Sequence, residues 1–274
     1  MVMKKMKIIL LLITIVAACF STTVQAYDLT AKRGVADYDF WVYTPDGYSP
    51  SAKHKEPLIL FLHGSSLCGR NLNTVLRYGP MDAVKRGMSI PAIVLSPQNP
   101  GGAWSPRKLN DLIEWAKRNY NVDSTRVYVM GMSLGGYGTM DFVGTYPDKV
   151  AAAMALCGGC GLSDQSGLGK VPLWVLHGTA DRAVPLSASK SVVDRLVSTG
   201  NDKCLRYDWL PGASHGALAR AFYLKDTYDW LFAHASSDKP RWVERSISID
   251  NDILKMAYGE LRELAKLVGE DDGL

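Results

Sequence analysis

Five short apolar runs recur along the chain, and stretches with a helical pattern separate them. The runs are residues 58–62, 91–95, 126–130, 150–156 and 172–176. Continuous apolar runs of about five residues are typical of strands that are covered on both faces. Strands that alternate with helices are joined by right-handed crossovers and form a largely parallel sheet. The pattern therefore predicts an α/β protein with helices on both faces of a mostly parallel sheet.

The segments around this core also carry structural signals. Residues 35–43 alternate in part, which favours an antiparallel edge strand ahead of the parallel core, and residues 205–210 have the pattern of a further strand. Ser105 can cap a helix that has Pro106 at its first position and runs toward Tyr120. Three more helices are predicted, over residues 137–146, 187–197 and 216–234.

Composition and charge exclude several classes of protein. Of the 274 residues, 47% are hydrophobic and 21% are charged, which is ordinary for a globular chain and excludes a disordered one. The net charge of +4 falls to nearly zero without the first 26 residues, which hold three lysines and no acid. A nearly neutral chain has no electrostatic footprint for nucleic acid or for an anionic membrane.

The first 26 residues have the pattern of an export signal. Three lysines precede an apolar run over residues 8–20, which is too short for a bilayer core of about 30 Å. Ala26 closes a small-residue exit of the kind that a signal peptidase accepts. We expect a signal peptide over residues 1–26 and an exported protein, periplasmic or extracellular. The alternative is a lipoprotein anchored at Cys19, because residues 16–19 resemble a lipoprotein box.

The rest of the chain divides in two. Residues 27–236 hold every predicted strand and are assigned to one core domain. Residues 237–274 form an extension in which apolar residues recur at spacings of three or four, and this predicts an amphipathic helix. The apolar residues are Ile253, Ala257, Leu261, Leu264 and Val268. This helix either packs on the surface of the domain itself or binds a partner.

A G-x-S-x-G pattern centred on Ser133 follows the third apolar run and leads into a predicted helix. Gly131 and Gly135 permit a tight turn from strand to helix, which holds the serine strained and exposed at the carboxyl edge of the sheet. The helix also points backbone N–H groups at an anion that forms there. Ser133 is therefore the candidate nucleophile.

A serine hydroxyl needs a base, and the base needs a group that orients it. Of the five histidines, only His215 lies in a turn late in the chain, after the strand-like residues 205–210. Asp181 directly follows the fifth apolar run and lies between the serine and the histidine in sequence. The order Ser133, Asp181, His215 is the one found in the α/β-hydrolase fold.

Four motifs carry a resemblance to a known family: His63-Gly64, the serine turn, residues 178–185 and residues 212–215. Over residues 40–235 the chain resembles the lidless esterases of the α/β-hydrolase superfamily. It is most similar to the dienelactone hydrolase, phospholipase/carboxylesterase and feruloyl esterase branches, and more distantly to prolyl oligopeptidase catalytic domains. The resemblance implies an α/β-hydrolase fold without a large lid domain, and a serine hydrolase that uses no cofactor and no metal.

The resemblance also implies an oxyanion hole. One donor is the backbone N–H of Leu134, which follows the nucleophile, and the other comes from the loop after the first long core strand, at Ser65. The family often has glycine where Ser66 stands in this chain, which leaves Ser66 as the second choice for that donor. By the same analogy His63 has a loop-holding role, and His177, near a strand end, is also expected to be structural.

Two further expectations concern the substrate. Trp104 follows the strand that ends near Pro97, so it should reach the rim of the site and either stack on substrate or cap the loop. Residues 158–171, between the fourth and fifth core strands, are too few for a lid, so the cleft should stay open. An open cleft favours short or aromatic acyl esters, on a small molecule or on a polymer such as polysaccharide.

Together these features predict an exported carboxylic ester hydrolase that works through an acyl-enzyme. Three alternatives stay open: a serine peptidase of the prolyl oligopeptidase type, a non-catalytic binding protein on the same fold, and a thiol oxidoreductase that uses Cys157 and Cys160. Cys204 begins a strand and should be unpaired. Cys68, Cys157 and Cys160 follow strand ends and should share the catalytic edge of the sheet, opposite Cys204, so any disulfide should join Cys68 with Cys157 or Cys160.

Overall fold

The computed structural model describes residues 28–257 and Gly259. The signal peptide expected over residues 1–26, its alternative at Cys19, and residues 261–268 of the expected amphipathic helix lie outside the described residues. Within the described part of the chain, no helix has the length and apolar character needed to cross a membrane.

Eight strands form one sheet at the centre of the molecule. They are β1 (Asp28–Lys32), β2 (Phe40–Thr44), β3 (Glu56–Leu62), β4 (Ile93–Pro97), β5 (Val122–Met132), β6 (Ala152–Leu156), β7 (Leu173–Gly178) and β8 (Leu205–Leu210). Their order across the sheet is β1-β2-β4-β3-β5-β6-β7-β8. The six strands from β4 to β8 in this order pair in parallel, whereas β1 and β2 pair antiparallel. The mostly parallel α/β architecture is therefore confirmed.

Helices cover both faces of this sheet. They are α1 (Pro80–Lys85), α2 (Pro106–Asn119), α3 (Leu134–Thr145), α4 (Leu186–Ser198) and α5 (Lys225–Phe232). Side chains alternate between the faces along a strand, so Leu58 and Leu60 of β3 pack with α2, α3 and α4, whereas Ile59 and Phe61 pack with α1 and α5. Every one of these four side chains is fully buried. This two-sided burial explains why the core strands read as continuous apolar runs.

The predicted edge strand is displaced by one position in the sheet. β2 forms within the predicted segment, but β1 pairs with it on the outside, with Asp28 opposite Thr44. The residues of β1 are partly or fully exposed. The segment therefore lacks the continuous apolar run that marks the buried core strands. Its strand structure comes from pairing with β2 rather than from a local signal.

The prediction of a single helix over residues 216–234 is wrong. These residues form a 3₁₀ helix (Gly216–Tyr223) and then α5, and Leu224 between them is extended, with φ −103° and ψ 131°. The hydroxyl of Thr227 donates to the carbonyl of Ala221 at 2.6 Å, and that of Tyr228 donates to Phe222 at 2.7 Å. These side-chain bonds satisfy carbonyls that would otherwise need helical partners, so the break is stable.

The chain after α5 packs against the domain. We call residues 233–257 the C-terminal segment. Val243, Ile249 and Leu254 of this segment are buried in the same apolar core as β3 and α5. Residues 251–257 are helical, so the described part of the expected amphipathic helix lies against the domain's own surface.

Candidate active site

Ser133 lies on a sharp turn between β5 and α3. Its backbone has φ 59° and ψ −120°, a conformation that residues other than glycine rarely adopt. Close backbone approach explains the flanking glycines. A Cβ on Gly131 would lie 2.5 Å from the carbonyl oxygen of Gly135, and a Cβ on Gly135 would lie 1.8 Å from that of Leu62. The turn places the serine at the carboxyl end of β5, as the motif predicts.

Asp181 and His215 lie in the loops after β7 and β8 and form a direct pair. Nδ1 of His215 lies 2.7 Å from Oδ2 of Asp181. The other oxygen, Oδ1, accepts the backbone N–H groups of Ala183 at 2.8 Å and Val184 at 2.9 Å. The aspartate side chain is fully buried, whereas the histidine side chain is 24% exposed. The carboxylate therefore fixes the imidazole with Nδ1 as the donor, which leaves Nε2 free to act as a base.

Local electrostatics keep the carboxyl group of Asp181 ionised. Burial raises its pKa, but hydrogen bonds from Val184, His215 and Ala183 outweigh burial, so the pKa lies below its ordinary value. A second imidazole, that of His177, has Nε2 3.4 Å from Oδ2 of Asp181. Burial lowers the pKa of His177. The aspartate is thus a stable anion between two imidazoles.

His177 connects β7 to neighbouring elements. Its Nδ1 lies 2.7 Å from the hydroxyl of Ser189 on α4, and its Nε2 lies 3.0 Å from the carbonyl oxygen of Val184. The hydroxyl of Ser189 in turn donates to the carbonyl of Gly158 at 2.6 Å. These contacts fit the structural role that was expected for His177.

The loop after β3 lies directly against the nucleophile. A Cβ on Gly64 would lie 3.3 Å from the Cβ of Ser133. Ser65, the next residue in the chain, is therefore close to the serine turn. Ser65 begins a short 3₁₀ helix and Leu134 begins α3, and the first N–H groups of a helix have no acceptor within the helix. Both N–H groups can therefore donate to a group bound at the serine turn.

Two side chains hold this loop in place. The hydroxyl of Tyr78 accepts the N–H of Gly64 at 2.6 Å. Nε2 of His63 accepts the N–H of Asn99 at 3.0 Å, so Nδ1 carries the proton and donates to the carbonyl of Gly64 at 2.7 Å. His63 is fully buried, and its contacts fit the expected loop-holding role. Sequence reasoning missed Tyr78, because nothing local links it to a loop that begins 14 residues earlier.

The assignment of Trp104 to substrate binding needs correction. Its side chain is only 2% exposed, and its indole N–H donates to the carbonyl of His63 at 3.3 Å. The ring meets the rings of Tyr38 and His63 edge to face, and Gly138 on α3 makes room for it. A substrate cannot stack on a ring that is covered in this way. Trp104 instead caps the loop, which is the alternative that the sequence left open.

An open cleft of about 550 Å³ lies on the His215 side of the site. Its lining residues come from the loops after β7 and β8 and are Ala180, Arg182, Ala183, Ser214, His215 and Gly216. None of them belongs to the connection between β6 and β7, where a lid would lie. That connection is held against α3, because the N–H of Gly161 donates to Asp141 at 2.7 Å.

Cys157 is a second residue that sequence reasoning left out of the site. It directly follows β6, is fully buried and has a φ of 41°. Its sulfur, a carboxylate oxygen of Asp181 and a ring nitrogen of His215 all lie within 4.8 Å of one another. Thiol, carboxylate and imidazole groups can all ligate a metal ion, but here the carboxylate of Asp181 and the imidazole of His215 are hydrogen-bonded to each other. The four described cysteines, Cys68, Cys157, Cys160 and Cys204, are all free thiols.

Curated relatives match the chain in part. The bifunctional acetylxylan esterase/xylanase XynS20E of Neocallimastix patriciarum is 29% identical over 163 residues, which cover 56% of this chain and 23% of that protein. Poly(3-hydroxyalkanoate) depolymerase C of Paucimonas lemoignei is 26% identical over 165 residues, which cover 53% of this chain and 37% of that protein. The matched region is thus well under half the length of either relative.

Solved structures share the fold. A thermostable esterase superposes with a TM-score of 0.60 and 24% identity, over 76% of this chain and 63% of that chain. The feruloyl esterase module from Clostridium thermocellum, solved with sinapinate, superposes with a TM-score of 0.56 and 18% identity, over 82% of this chain and 93% of that chain. At these identities the likeness establishes the α/β-hydrolase fold.

Family membership rests on the region that carries the site. Residues 99–239 match the dienelactone hydrolase family. This span is about half of the chain and contains Ser133, Asp181 and His215. It also contains four of the six parallel strands, β5 to β8. The chain therefore belongs to the dienelactone hydrolase family.

Proposed function

We propose that the protein is a serine esterase that hydrolyses carboxylic esters through an acyl-enzyme, with Ser133, Asp181 and His215 as its catalytic triad. The observation that carries the proposal is the 2.7 Å contact between His215 and Asp181, at the same edge of the parallel sheet as a serine in a strained turn. Backbone strain of this kind persists at functional sites because the surrounding structure maintains it.

The geometry supports a two-step reaction. Ser133 attacks the ester carbonyl while Nε2 of His215 takes the hydroxyl proton, and the same nitrogen then protonates the leaving alcohol. Asp181 holds the imidazole tautomer and stabilises the imidazolium. The N–H groups of Leu134 and Ser65 donate to the oxyanion, and each such donor is worth about 3 kcal/mol of transition-state stabilisation. Water activated by His215 then releases the acid.

Fluorophosphonate labelling tests this assignment, because the reagent reacts with activated serines. The wild-type chain should be labelled on Ser133 and should hydrolyse soluble acetyl and butyryl esters. Ser133→Ala should lose both properties while remaining folded. Equal labelling of wild type and Ser133→Ala would reject the triad.

The same assays separate the alternatives. A non-catalytic binding protein would neither be labelled nor hydrolyse esters. A prolyl oligopeptidase-type peptidase would be labelled but would cleave peptide amides in preference to esters. A thiol oxidoreductase needs an accessible thiolate, yet burial is the main cause that raises the pKa of Cys160 to about 12. The thiol environment therefore favours the esterase over the redox protein.

The substrates that we propose are short-chain or aromatic acyl esters, including acetyl or feruloyl groups on polysaccharide. The open cleft supports this choice, because it leaves a long acyl chain in water at a cost of up to about 0.8 kcal/mol per methylene. The similarity of the chain to an acetylxylan esterase/xylanase and to a feruloyl esterase module also supports acetyl and feruloyl esters as substrates. A panel of acetyl, butyryl, feruloyl and long-chain esters tests it, and faster hydrolysis of triglyceride emulsions would contradict it.

We also propose that the enzyme is exported. Support comes from the lysine-rich start and the apolar run over residues 8–20. Mass spectrometry of the protein from its native host should find a mature N-terminus at Tyr27. A lipidated N-terminus at Cys19 would instead establish the lipoprotein alternative.

A further inference from the structure

The loop that carries His215 lies largely in solvent. Residues 211–215 follow β8 directly and belong to no helix or strand, and Pro211, Gly212 and Ser214 are exposed. A loop of this kind has few buried contacts of its own, so its backbone conformation depends on the elements that hold it from outside. The position of the His215 imidazole therefore depends on these neighbours.

On one side, the loop is held by the segment after β7. Oγ1 of Thr179 accepts the N–H of Gly212 at 2.8 Å. Two residues further along, the carboxylate of Asp181 contacts Nδ1 of His215 at 2.7 Å. On this side, the loop is thus fixed by the same segment that supplies the acid of the proposed triad.

On the other side, the loop is held by the C-terminal segment. The side-chain amide of Asn251 donates to the carbonyl of Pro211 at 2.6 Å. Asn251 is the first residue of the helix over residues 251–257. An open groove of about 600 Å³ lies between this helix and the loop, and both Pro211 and Asn251 line it. The hydrogen bond therefore joins the two walls of a groove that is open to solvent.

The helix that carries Asn251 is itself firmly anchored. Oδ1 of Asp250 caps its start, because it accepts the N–H groups of Asp252 and Ile253, each at 2.9 Å. The side chain of Leu254 is buried in the same apolar core as β3 and α5. Asn251 is therefore presented to the loop from a fixed support rather than from a freely moving chain.

We propose that Asn251 is a positioning residue of the active site, whose amide holds the carbonyl of Pro211 and so keeps the loop in the conformation that brings His215 to Asp181. Without this bond the loop samples other conformations, in which the imidazole is misplaced for proton transfer, and small misplacements reduce the rate strongly. Asn251 lies outside residues 99–239, which match the family. The inference rests on the proposed triad, because Asn251 acts through His215.

Two substitutions test the role. Asn251→Ala removes the donor, and Asn251→Asp keeps the size of the side chain but presents an oxygen that repels the carbonyl of Pro211. In both variants, kcat for a soluble acetyl ester and the rate of fluorophosphonate labelling should fall about five- to tenfold, the scale of one hydrogen bond. KM should stay within about twofold of the wild-type value, because the bond orients a reacting group and does not bind substrate. The loss in Asn251→Asp should be at least as large as that in Asn251→Ala.

Asn121→Ala is the matched control. The amide of Asn121 also donates to backbone carbonyls, those of Ala52 at 2.7 Å and His54 at 2.8 Å, but it lies just before β5, at the edge of the sheet opposite the site. This variant should lose thermal stability and keep the wild-type kcat and labelling rate per folded molecule.

The inference is overturned if both folded Asn251 variants keep the wild-type kcat, or if folded Asn121→Ala loses as much kcat as they do. A wild-type chain that neither hydrolyses the ester nor is labelled would instead overturn the proposed function. The two failures are therefore distinguishable.

Discussion

The two edges of the sheet are built in opposite ways. At the carboxyl edge, Ser133 and Cys157 hold strained backbone conformations beside an open cleft. At the amino edge, the C-terminal segment satisfies backbone groups of the strands. Arg241 donates to the carbonyls just before β6, at Val150 and Ala151. The two strained residues thus lie at one edge, and the arginine contacts of the C-terminal segment lie at the other.

A second arginine of the C-terminal segment acts in the same way. Arg245 donates to the carbonyl of Leu205 at the start of β8, at 3.0 Å. Glu244, between the two arginines, accepts hydrogen bonds at its carbonyl from Trp230 and Arg206. We therefore expect substitutions at the carboxyl edge to change the catalytic rate, and substitutions at the amino edge to change the free energy of unfolding.

The largest expected effect is that of Ser133→Ala at the carboxyl edge. It should reduce kcat by up to about a millionfold, because loss of the nucleophile of a triad removes the covalent route. The melting temperature should hardly change, since the substitution removes one partly exposed hydroxyl. Steady-state kinetics and thermal denaturation measure both quantities. A variant that keeps substantial activity would show that the strained turn is not the catalytic centre.

Asp181→Asn should have the next largest effect. An amide at this position favours the wrong imidazole tautomer, so kcat should fall by about 10⁴ while the fold is kept. Kinetics at pH 7 to 8 and circular dichroism provide the measurements. Loss of less than about tenfold would show that the contact between Asp181 and His215 does not serve the reaction.

Arg241→Ala tests the amino edge. It leaves the carbonyls of Val150 and Ala151 without their charged donor, at a cost of about 2–3 kcal/mol, which corresponds to a fall in Tm of about 5–10 °C. Activity per folded molecule should be unchanged. Arg107→Ala is the control, because its ion pairs with Asp37 and Asp111 are exposed and should be worth less than about 1 kcal/mol. Equal losses of Tm in the two variants would contradict the stabilising role of the amino edge.

The last expected effect concerns the pH dependence of stability and involves both edges. Burial lowers the pKa of His63 and His177 near the site, and of His234 in the C-terminal segment. The unfolded chain binds protons at these residues near pH 6.5 while the folded chain does not. Their stabilisation is therefore complete above pH 6.5 and is lost as the pH falls below that value.

Thermal denaturation from pH 7.5 to 5 should show this decline in Tm. Each histidine that titrates fully in the unfolded chain contributes up to about 1.4 kcal/mol per pH unit. His54→Gln is the control, since its side chain is 68% exposed, and it should follow the wild-type curve. A Tm that stays constant to pH 5 would show that the buried histidines are not linked to folding in this way.

The core strands could be predicted because two-sided burial leaves a local trace. β3 to β7 appear in the sequence as apolar runs, and the glycines around Ser133 mark the close approach of the turn to Leu62. β1 left no such trace, since its residues are exposed and its structure depends on pairing with β2. The break at Leu224 was also not predictable, because the side chains that stabilise it resemble those of a continuous helix.

The sequence by itself determined the alternation of strands and helices and the candidate Ser133, Asp181 and His215, because burial and tight turns constrain residue types locally. Only the tertiary structure decided which side chains meet. It brought His215 to 2.7 Å from Asp181, placed Cys157 beside both of them and buried Trp104 under Tyr38 and His63. Such contacts join loops that follow different strands, and residues far apart in sequence carry no local signal of the distance between them in the fold.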